Sequence, residues 1–486
     1  MKQERSRWVA LAVLCTGMLM IVLDVTVVNV ALPAIQNDLG FTQSSLAWVV
    51  NAYLIAFGGL LLLAGRLGDL TSRRGVFLAG LAVFVLASLV CGLAGSQEVL
   101  IAARFVQGVG GAMTSAVILG VIVTMFPEPR ERAKALGFYS FVASAGGSIG
   151  LLAGGVLTQS INWHWIFFVN LPIGLATGAA AVRLLPRDRG IGLGRGADLL
   201  GAVLITAALM LGVYTIVKPA AELGWGAPQT LTLGGGAVLL LLLFVLREAK
   251  AREPLMPLMP LRIFRSANVS GANAIQALTV AGMFGMFFLG TLYLQRVLGC
   301  DSLTTGLAFL PHSVLMGLLS LRYSERLVTR FGARNTLLGG LVLIAAGLAL
   351  FARVPVDGSY LVDVLPATLL LGVGISGAFP ALAALAMSGA TRDDAGLASG
   401  LVNTTTQVGA AMGLAVLATL SATRTAGLAA EGRPEVEALT GGYQLAFLIG
   451  TALVAVSFVI ALTVLKPGRS EPAEEAHDEL PLHAGL

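Results

Sequence analysis

Charge is scarce in this chain. Asp, Glu, Lys and Arg make up 12% of its 486 residues, where a soluble domain carries about 25%. That shortage excludes an ordinary water-soluble enzyme or binding module. Cysteine is scarcer still: Cys15, Cys91 and Cys300 are the only three. They stand far apart, in or beside apolar runs, and read as packing residues, not a disulfide or metal framework. Histidine occurs four times. No His/Asp/Glu group has metal spacing and no Ser–His arrangement occurs in the apolar runs, so no metal is expected and an intramembrane enzyme is disfavoured. The GxxxxGK[ST] phosphate loop is missing, and no polar stretch is large enough for a soluble domain with its own core. Both absences argue against an ATPase, and the second against a receptor with a soluble signalling domain. Short alternating strands, the mark of a membrane β-barrel, are absent too.

What is abundant is apolar sequence. Hydrophobic residues reach 56% and the mean hydropathy is +0.86. Fourteen apolar segments stand out, at roughly 8–30, 46–64, 76–95, 99–123, 135–158, 165–184, 199–217, 230–247, 268–294, 304–321, 335–352, 361–388, 397–420 and 442–465. Most approach the ~20 residues that cross a bilayer as a helix. The first run is too long for a signal peptide, has no small-residue cleavage site and continues to Val30. The reading is an all-α polytopic membrane protein embedded in the lipid bilayer.

An even span count puts both termini on one side. With that side inward, Lys218, Arg296, Arg353, Arg424 and Arg433 are the outer basic residues and Arg104 lies within a span; the other Lys and Arg are inside. This roughly fivefold excess follows the positive-inside rule and places both termini in the cytoplasm. The net charge of +5 thus has a membrane explanation, and no nucleic-acid partner is expected. The longest inner connection, Arg247 to Ser266, contains EPLMPLMPLRIF and reads as an interfacial linker. The acidic, polar tail at 470–486 reads as disordered.

Within the first span stands Asp24, the only acid deep in any apolar run. Intramembrane ionisable groups are costly and usually face a cavity, a partner or an ion path. Asp24 falls in the outer half of span 1 and Arg104 in the outer half of span 4, so the two lie at similar depth. Arg stays charged, whereas a carboxylate can take up a proton. Burial favours the neutral carboxyl and a nearby cation favours the charged one. A conformational change that alters their separation would load or release a proton. The alternative is a static ion pair locking two helices. Gln107 and Gly108 follow Arg104 by three and four residues and share its face.

An internal repeat supplies the frame. GRLGDLTSRRG, Gly65 to Gly75, lies between spans 2 and 3, and RYSERLVTRFGAR, Arg322 to Arg334, between spans 10 and 11. Both are short, basic and carry one acid. Their offset of eight spans fits two six-span halves with a two-span insert, and such repeats are the signature of secondary transporters. The chain resembles the major facilitator superfamily, specifically its 14-span drug:proton antiporter branch (EmrB/QacA-like). The resemblance rests on LDVTVVNVALPAI (Leu23 to Ile35), on Gly65, Asp69, Arg73 and Arg74 in loop 2–3, on Arg104, Gln107, Gly108 and Gly111 in span 4, and on Gly146, Gly150, Gly154 and Gly155 in span 5. Leu70, Ser72, Leu151 and Glu325 depart from the family pattern.

The resemblance implies a major facilitator fold of 14 transmembrane helices. Its halves would be residues 1–190 and 251–469, with 191–250 as the insert of spans 7 and 8. It implies proton coupling through Asp24 and Arg104. It implies gating by Gly65, Asp69, Arg73 and Arg74 and by the span-5 glycines Gly146, Gly150 and Gly154. Asp69, just before span 3, is also expected to meet that helix's N-terminal dipole. The implied central cavity makes Asn51, Tyr53, Gln107, Asn273, Gln276, His312, Asn403 and Gln407 substrate-site candidates, with Phe284 and Phe287 in an apolar wall. For any one of these, core packing is as good a reading. The expected activity is efflux of amphipathic drugs or antibiotics in exchange for protons, by a monomer that needs no cofactor beyond the proton gradient. The rival is an exporter or proton symporter dedicated to one metabolite, such as a self-made antibiotic.

Overall fold

The computed structural model describes residues 2–188, 190, 198–250, 264, 266–387 and 395–465. Residues 253–263 of the EPLMPLMPLRIF segment, the tail at 470–486 and the side chains of Asp69 and Glu325 lie outside the described residues. All regular structure among the described residues is helical. The helices are α1 (Lys2–Leu39), α2 (Gln43–Leu70), α3 (Arg73–Gly92), α4 (Gln97–Met125), α5 (Pro129–Ser160), α6 (Trp165–Phe168), α7 (Asn170–Leu184), α8 (Leu199–Thr215), α9 (Ala221–Leu223), α10 (Pro228–Lys250), α11 (Ala267–Arg296), α12 (Ser302–Arg322), α13 (Ser324–Phe331), α14 (Ala333–Phe351), α15 (Leu365–Met387), α16 (Ala395–Ala430) and α17 (Glu435–Thr463).

Among the described residues, twelve helices are long and apolar enough to cross a membrane. The expected fourteen are not reached on that measure. The remaining two segments register only as shorter apolar stretches, Ser45–Leu61 within α2 and Ile149–Ser160 within α5. Leu62 and Ser148, next to these stretches, have side chains outside the described residues.

Local chemistry sets the helix starts. Thr42 and Ser45 form a reciprocal capping box at α2. Ser72, Ser96, Asp198 and Asp301 each accept a backbone N–H at the starts of α3, α4, α8 and α12. Such caps are worth about 1 kcal/mol each. They let short polar loops reverse the chain between long apolar helices.

Packing divides the long helices by neighbour. α1 lies against α5 and α7, while α4 lies against α2 and α3. α11 packs on α16 and α17, and α14 on α15 and α17. The two groups meet where α2 faces α16, α5 faces α12 and α1 touches α11. α8 pairs with α10 and rests on α2. The basic side of the bundle holds Arg7, Arg73, Arg74 and Arg334; the far side holds the turns at 40–42, 93–96 and 297–301.

Candidate functional site

Asp24 is fully buried on α1 and Arg104 is 1% exposed on α4. The Arg104 Nη1–H donates to Asp24 Oδ2 at 2.5 Å, so the two ionisable groups do meet. Gln107, one turn along α4, closes a triangle. Its Nε2 donates to Asp24 Oδ1 at 2.7 Å, and its Oε1 accepts from Arg104 Nη1 at 2.7 Å. Gln107 was a substrate-site candidate; here its amide is spent within this cluster. Its second N–H goes to Ser88 Oγ at 2.8 Å on α3, and the Cys91 thiol approaches Oε1 at 3.6 Å.

Three more groups fix the arrangement, none singled out by the sequence. Asn170, the first residue of α7, donates from Nδ2 to Asp24 Oδ1 at 3.1 Å. The Val49 carbonyl of α2 accepts the Arg104 Nε–H at 2.9 Å. Ser88 passes its own hydrogen to the Phe84 carbonyl at 2.8 Å. The guanidinium carbon lies 4.5 Å from the Tyr53 ring centroid and 5.8 Å from that of Phe167. Tyr53, another substrate candidate, thus serves as an aromatic face for the cation.

The carboxylate accepts three hydrogen bonds and has one cation beside it. A buried charge needs this degree of compensation. Of the two groups, arginine stays charged, while a carboxylate is chemically able to take up a proton. The Tyr53 hydroxyl and Asn170 Oδ1 are buried and lack hydrogen-bond partners among the described residues, so two polar atoms in this neighbourhood await another contact.

Loop 2–3 is stapled within its own group of helices. Arg73 Nη1 donates to the Gly120 carbonyl at 3.1 Å and to Thr124 Oγ1 at 2.9 Å. Arg74 Nη2 donates to the Val182 carbonyl of α7. Both cations thus meet the carbonyl-rich C-terminal ends of helices. The backbone of Asp69 belongs to the last turn of α2, and its side chain lies outside the described residues. Asp188, beyond α7, reaches the N-terminus of α3. Its carboxylate accepts from Ser72 Oγ at 2.6 Å, from the Arg73 amide at 2.6 Å and from the Arg74 amide at 3.3 Å.

Partial burial disfavours the Asp188 anion, but the Ser72 hydroxyl and the two amides outweigh it and hold the carboxyl below its usual range. A carboxyl held low contributes stability above its unfolded value, about 3.9, and loses it as pH falls through the folded value. Asp188→Asn should therefore lower thermal stability by an amount that is flat from about pH 5 to 8. Because the site is exposed, the loss should be about 1 kcal/mol at most. Melting curves of both chains across that range check this; a gap that changes within the range contradicts it.

The span-5 glycines fit α5 closely against α1. A Cβ on Gly146 would meet Leu19 and Val22, one on Gly150 would collide with Thr26, and one on Gly154 would crowd the Val27 backbone. The contact of α5 with α12 uses other residues. Gly155 lies against the Leu303 backbone of α12, and Gly306 of α12 against the Leu151 carbonyl. Gly65 faces Ala116 of α4 more loosely.

At the far side the two groups of helices are tied together. Gln159 Nε2 donates to Asp301 Oδ2 at 2.9 Å and its Oε1 accepts the Leu303 amide at 3.1 Å. Gln295 Nε2 donates to the Val30 carbonyl at 3.0 Å, and Arg296 Nη2 to Asn37 Oδ1 at 2.9 Å.

The remaining substrate candidates scatter. Asn273 accepts from Thr405 Oγ1 at 3.1 Å, and Gln276 donates to Thr406 Oγ1 at 2.9 Å, so both join α11 to α16. His312 is buried on α12, and its Nδ1–H donates to the Thr368 carbonyl at 3.0 Å. The Phe287 ring stands 5.3 Å from it, edge-on. Phe284 is half-buried, Asn403 is exposed and Gln407 faces Gly58 of α2.

A bundle of long apolar helices around a fully buried ion pair fits an integral membrane protein. The family model for the Major Facilitator Superfamily matches residues 14–414, and the chain belongs to that superfamily. It is 39% identical over 475 residues to the puromycin resistance protein pur8 of Streptomyces alboniger, covering 96% of this chain and 93% of that one. It is 40% identical over 476 residues to the cephamycin export protein CmcT of Amycolatopsis lactamdurans, covering 96% and 94%. It is 34% identical to the multidrug resistance protein Stp of Mycobacterium tuberculosis, covering 86% and 76%. Among solved structures, a bacterial homolog of the human lysosomal transporter Spinster has a TM-score of 0.68 at 15% identity, over 95% of this chain and 99% of that one. This last likeness concerns the fold.

Proposed function

We propose that the chain exports amphipathic drugs or antibiotics across the cytoplasmic membrane in exchange for protons, by alternating access. The observation that carries the proposal is the buried Asp24–Arg104–Gln107 cluster. It is a proton-accepting group held by a permanent cation, on helices that pack against opposite neighbours. Asp24 takes a proton from outside and releases it inside, while the compound leaves against the proton flow. α2 and α5 also cross the bilayer in this reading, which gives fourteen spans, two six-helix halves and both termini in the cytoplasm. The protein works as a monomer and needs no cofactor beyond the proton gradient.

The energetics suffice. One proton falling through 100 mV yields about 2.3 kcal/mol, and one pH unit adds about 1.4 kcal/mol. Their sum sustains a substrate gradient of roughly a few hundredfold per proton.

The relatives support export of antibiotics. Breadth is the open choice between readings. The cephamycin export relative favours the narrow one, a dedicated exporter, whereas the multidrug relative favours the broad one. Accumulation of a panel of unrelated amphiphiles in cells with and without the protein separates them. Reduced accumulation of several scaffolds supports the broad reading, and of one scaffold the narrow. Unchanged accumulation of every compound contradicts export altogether.

A further inference from the structure

α13 is a helix of 8 residues, about 12 Å long. The apolar stretch of α12 ends at Ser320 and that of α14 begins at Ala333, so α13 lies at the membrane surface between two spans. It is set off at both ends. Tyr323 leaves helical geometry, and Gly332 takes φ +79°, a left-handed turn that glycine permits. The first turn of α14 fixes it in place: Thr336 Oγ1 donates to the Leu327 carbonyl at 3.0 Å and Asn335 Nδ2 to the Phe331 carbonyl at 3.1 Å. Ser324 is buried and Val328 half-buried against the bundle. The outward residues are of two kinds. Arg326 and Arg330, four apart, share one face, and Leu327 and Phe331 share the next. Arg322 and Tyr323 continue both rows back to the end of α12. Tyr323, Leu327 and Phe331 are 44%, 36% and 53% exposed. The three arginines are exposed too, and they have no hydrogen-bond or ion-pair partner among the described residues. Arg330 only covers the Phe331 ring, at 5.5 Å. The matching loop 2–3 differs, because its Arg73 and Arg74 are spent on carbonyls within the protein. Arg334 is likewise spent, on the Ala461 and Leu462 carbonyls at the end of α17.

We propose that α13 is a docking surface for the headgroups of anionic phospholipids. A guanidinium holds phosphate oxygens through its planar fork. A row of such cations beside a row of exposed apolar side chains matches the layer where lipid phosphates meet acyl chains. Each arginine near an anionic surface strengthens attachment about fivefold, so three favour an anionic lipid by roughly a hundredfold at most. One other partner offers the right charge, the acidic stretch Glu471 to Glu479, which follows α17 in the chain. It has no large apolar side chain, so it answers the arginines and leaves Tyr323, Leu327 and Phe331 uncovered. The lipid answers both rows. The two related loops thus differ in what holds them: loop 2–3 is stapled to protein, and the loop carrying α13 is held by the bilayer. This inference is independent of proton coupling and of the exported compound.

Lipid quenching tests it. A fluorophore is attached to Leu327→Cys in a chain whose three native cysteines are replaced by serine. The protein is placed in phosphatidylcholine vesicles with a trace of spin-labelled phosphatidylglycerol or spin-labelled phosphatidylcholine, each labelled near the headgroup end of an acyl chain. Phosphatidylglycerol should be enriched at α13 about tenfold over phosphatidylcholine, and molar salt should remove most of that preference. The combined change Arg322→Gln, Arg326→Gln and Arg330→Gln should abolish it while leaving the thermal midpoint at the native value, because these side chains bond to nothing in the protein. Equal quenching by the two lipids in the native chain, or a preference that survives the triple change, overturns the proposal. A probe at Val362→Cys, 72% exposed on the far side, should show no preference; an equal preference there overturns the placement on α13. Deleting residues 470–486 should change nothing. A preference that emerges only after that deletion makes the acidic tail the occupant of α13 and overturns lipid docking.

Discussion

Replacing Arg104 with alanine should abolish export and destabilise the protein by about 3–5 kcal/mol, the cost of stranding one partner of a buried ion pair. The guanidinium serves Asp24 and Gln107 from Nη1 and the Val49 carbonyl from Nε. Its removal leaves a carboxylate with only the amides of Gln107 and Asn170 as donors. The carboxyl then relieves its isolation by keeping a proton, which ends cycling between charged states. Arg104→Lys should rescue much of the stability but little of the transport. A lysine ammonium is a point charge on a flexible stem and does not reproduce the fork that binds three acceptors. Thermal denaturation in detergent and efflux from loaded cells check both variants. Normal efflux by the alanine variant would contradict the role given to this pair.

Asp24→Asn should leave the fold intact and remove uphill export, with a fall of at least about a hundredfold at a gradient that the native protein sustains. The amide is neutral, like a carboxyl that never gives up its proton. Its oxygen still accepts from Arg104, but its nitrogen turns a donor toward Gln107 and Asn170, which are donors themselves at that point. Substrate binding, measured by equilibrium titration, should persist because none of these bonds requires the compound. Downhill efflux should persist in part. Loss of binding in step with loss of transport would mean that Asp24 holds substrate and not the proton.

The centre of this site was legible in the sequence for a specific reason. An acid and an arginine in otherwise apolar helices are rare and expensive, and the i, i+3 step from Arg104 to Gln107 places the glutamine beside its cation. The rest depended on packing across helices that are distant in sequence. Ser88, Asn170 and the Val49 carbonyl come from α3, α7 and α2. A lone serine or asparagine in an apolar run carries no spacing signal, although Asn170 at the head of span 6 is a buried amide of the kind that asks for a partner. Asp188 was hidden for the opposite reason, since an acid in a basic, polar loop looks like a solvated charge. The glycines of span 5 lie at close helix contacts, and repetition alone does not say which neighbour each one faces. Gly146, Gly150 and Gly154 meet α1, while Gly155 meets α12. The helical fold followed from composition and run length. Among the described residues, twelve of the fourteen expected spans are long and apolar enough to cross a membrane.

The central claim is that Asp24 carries the proton that drives export. Protein reconstituted in sealed vesicles with a pH-sensitive dye inside tests it most directly, by recording proton movement when a transported compound is added down its own gradient. The native chain should move protons opposite to the compound in a fixed ratio, and the Asp24→Asn chain should move the compound with no accompanying proton signal. An undiminished proton signal in the Asp24→Asn chain would contradict the account.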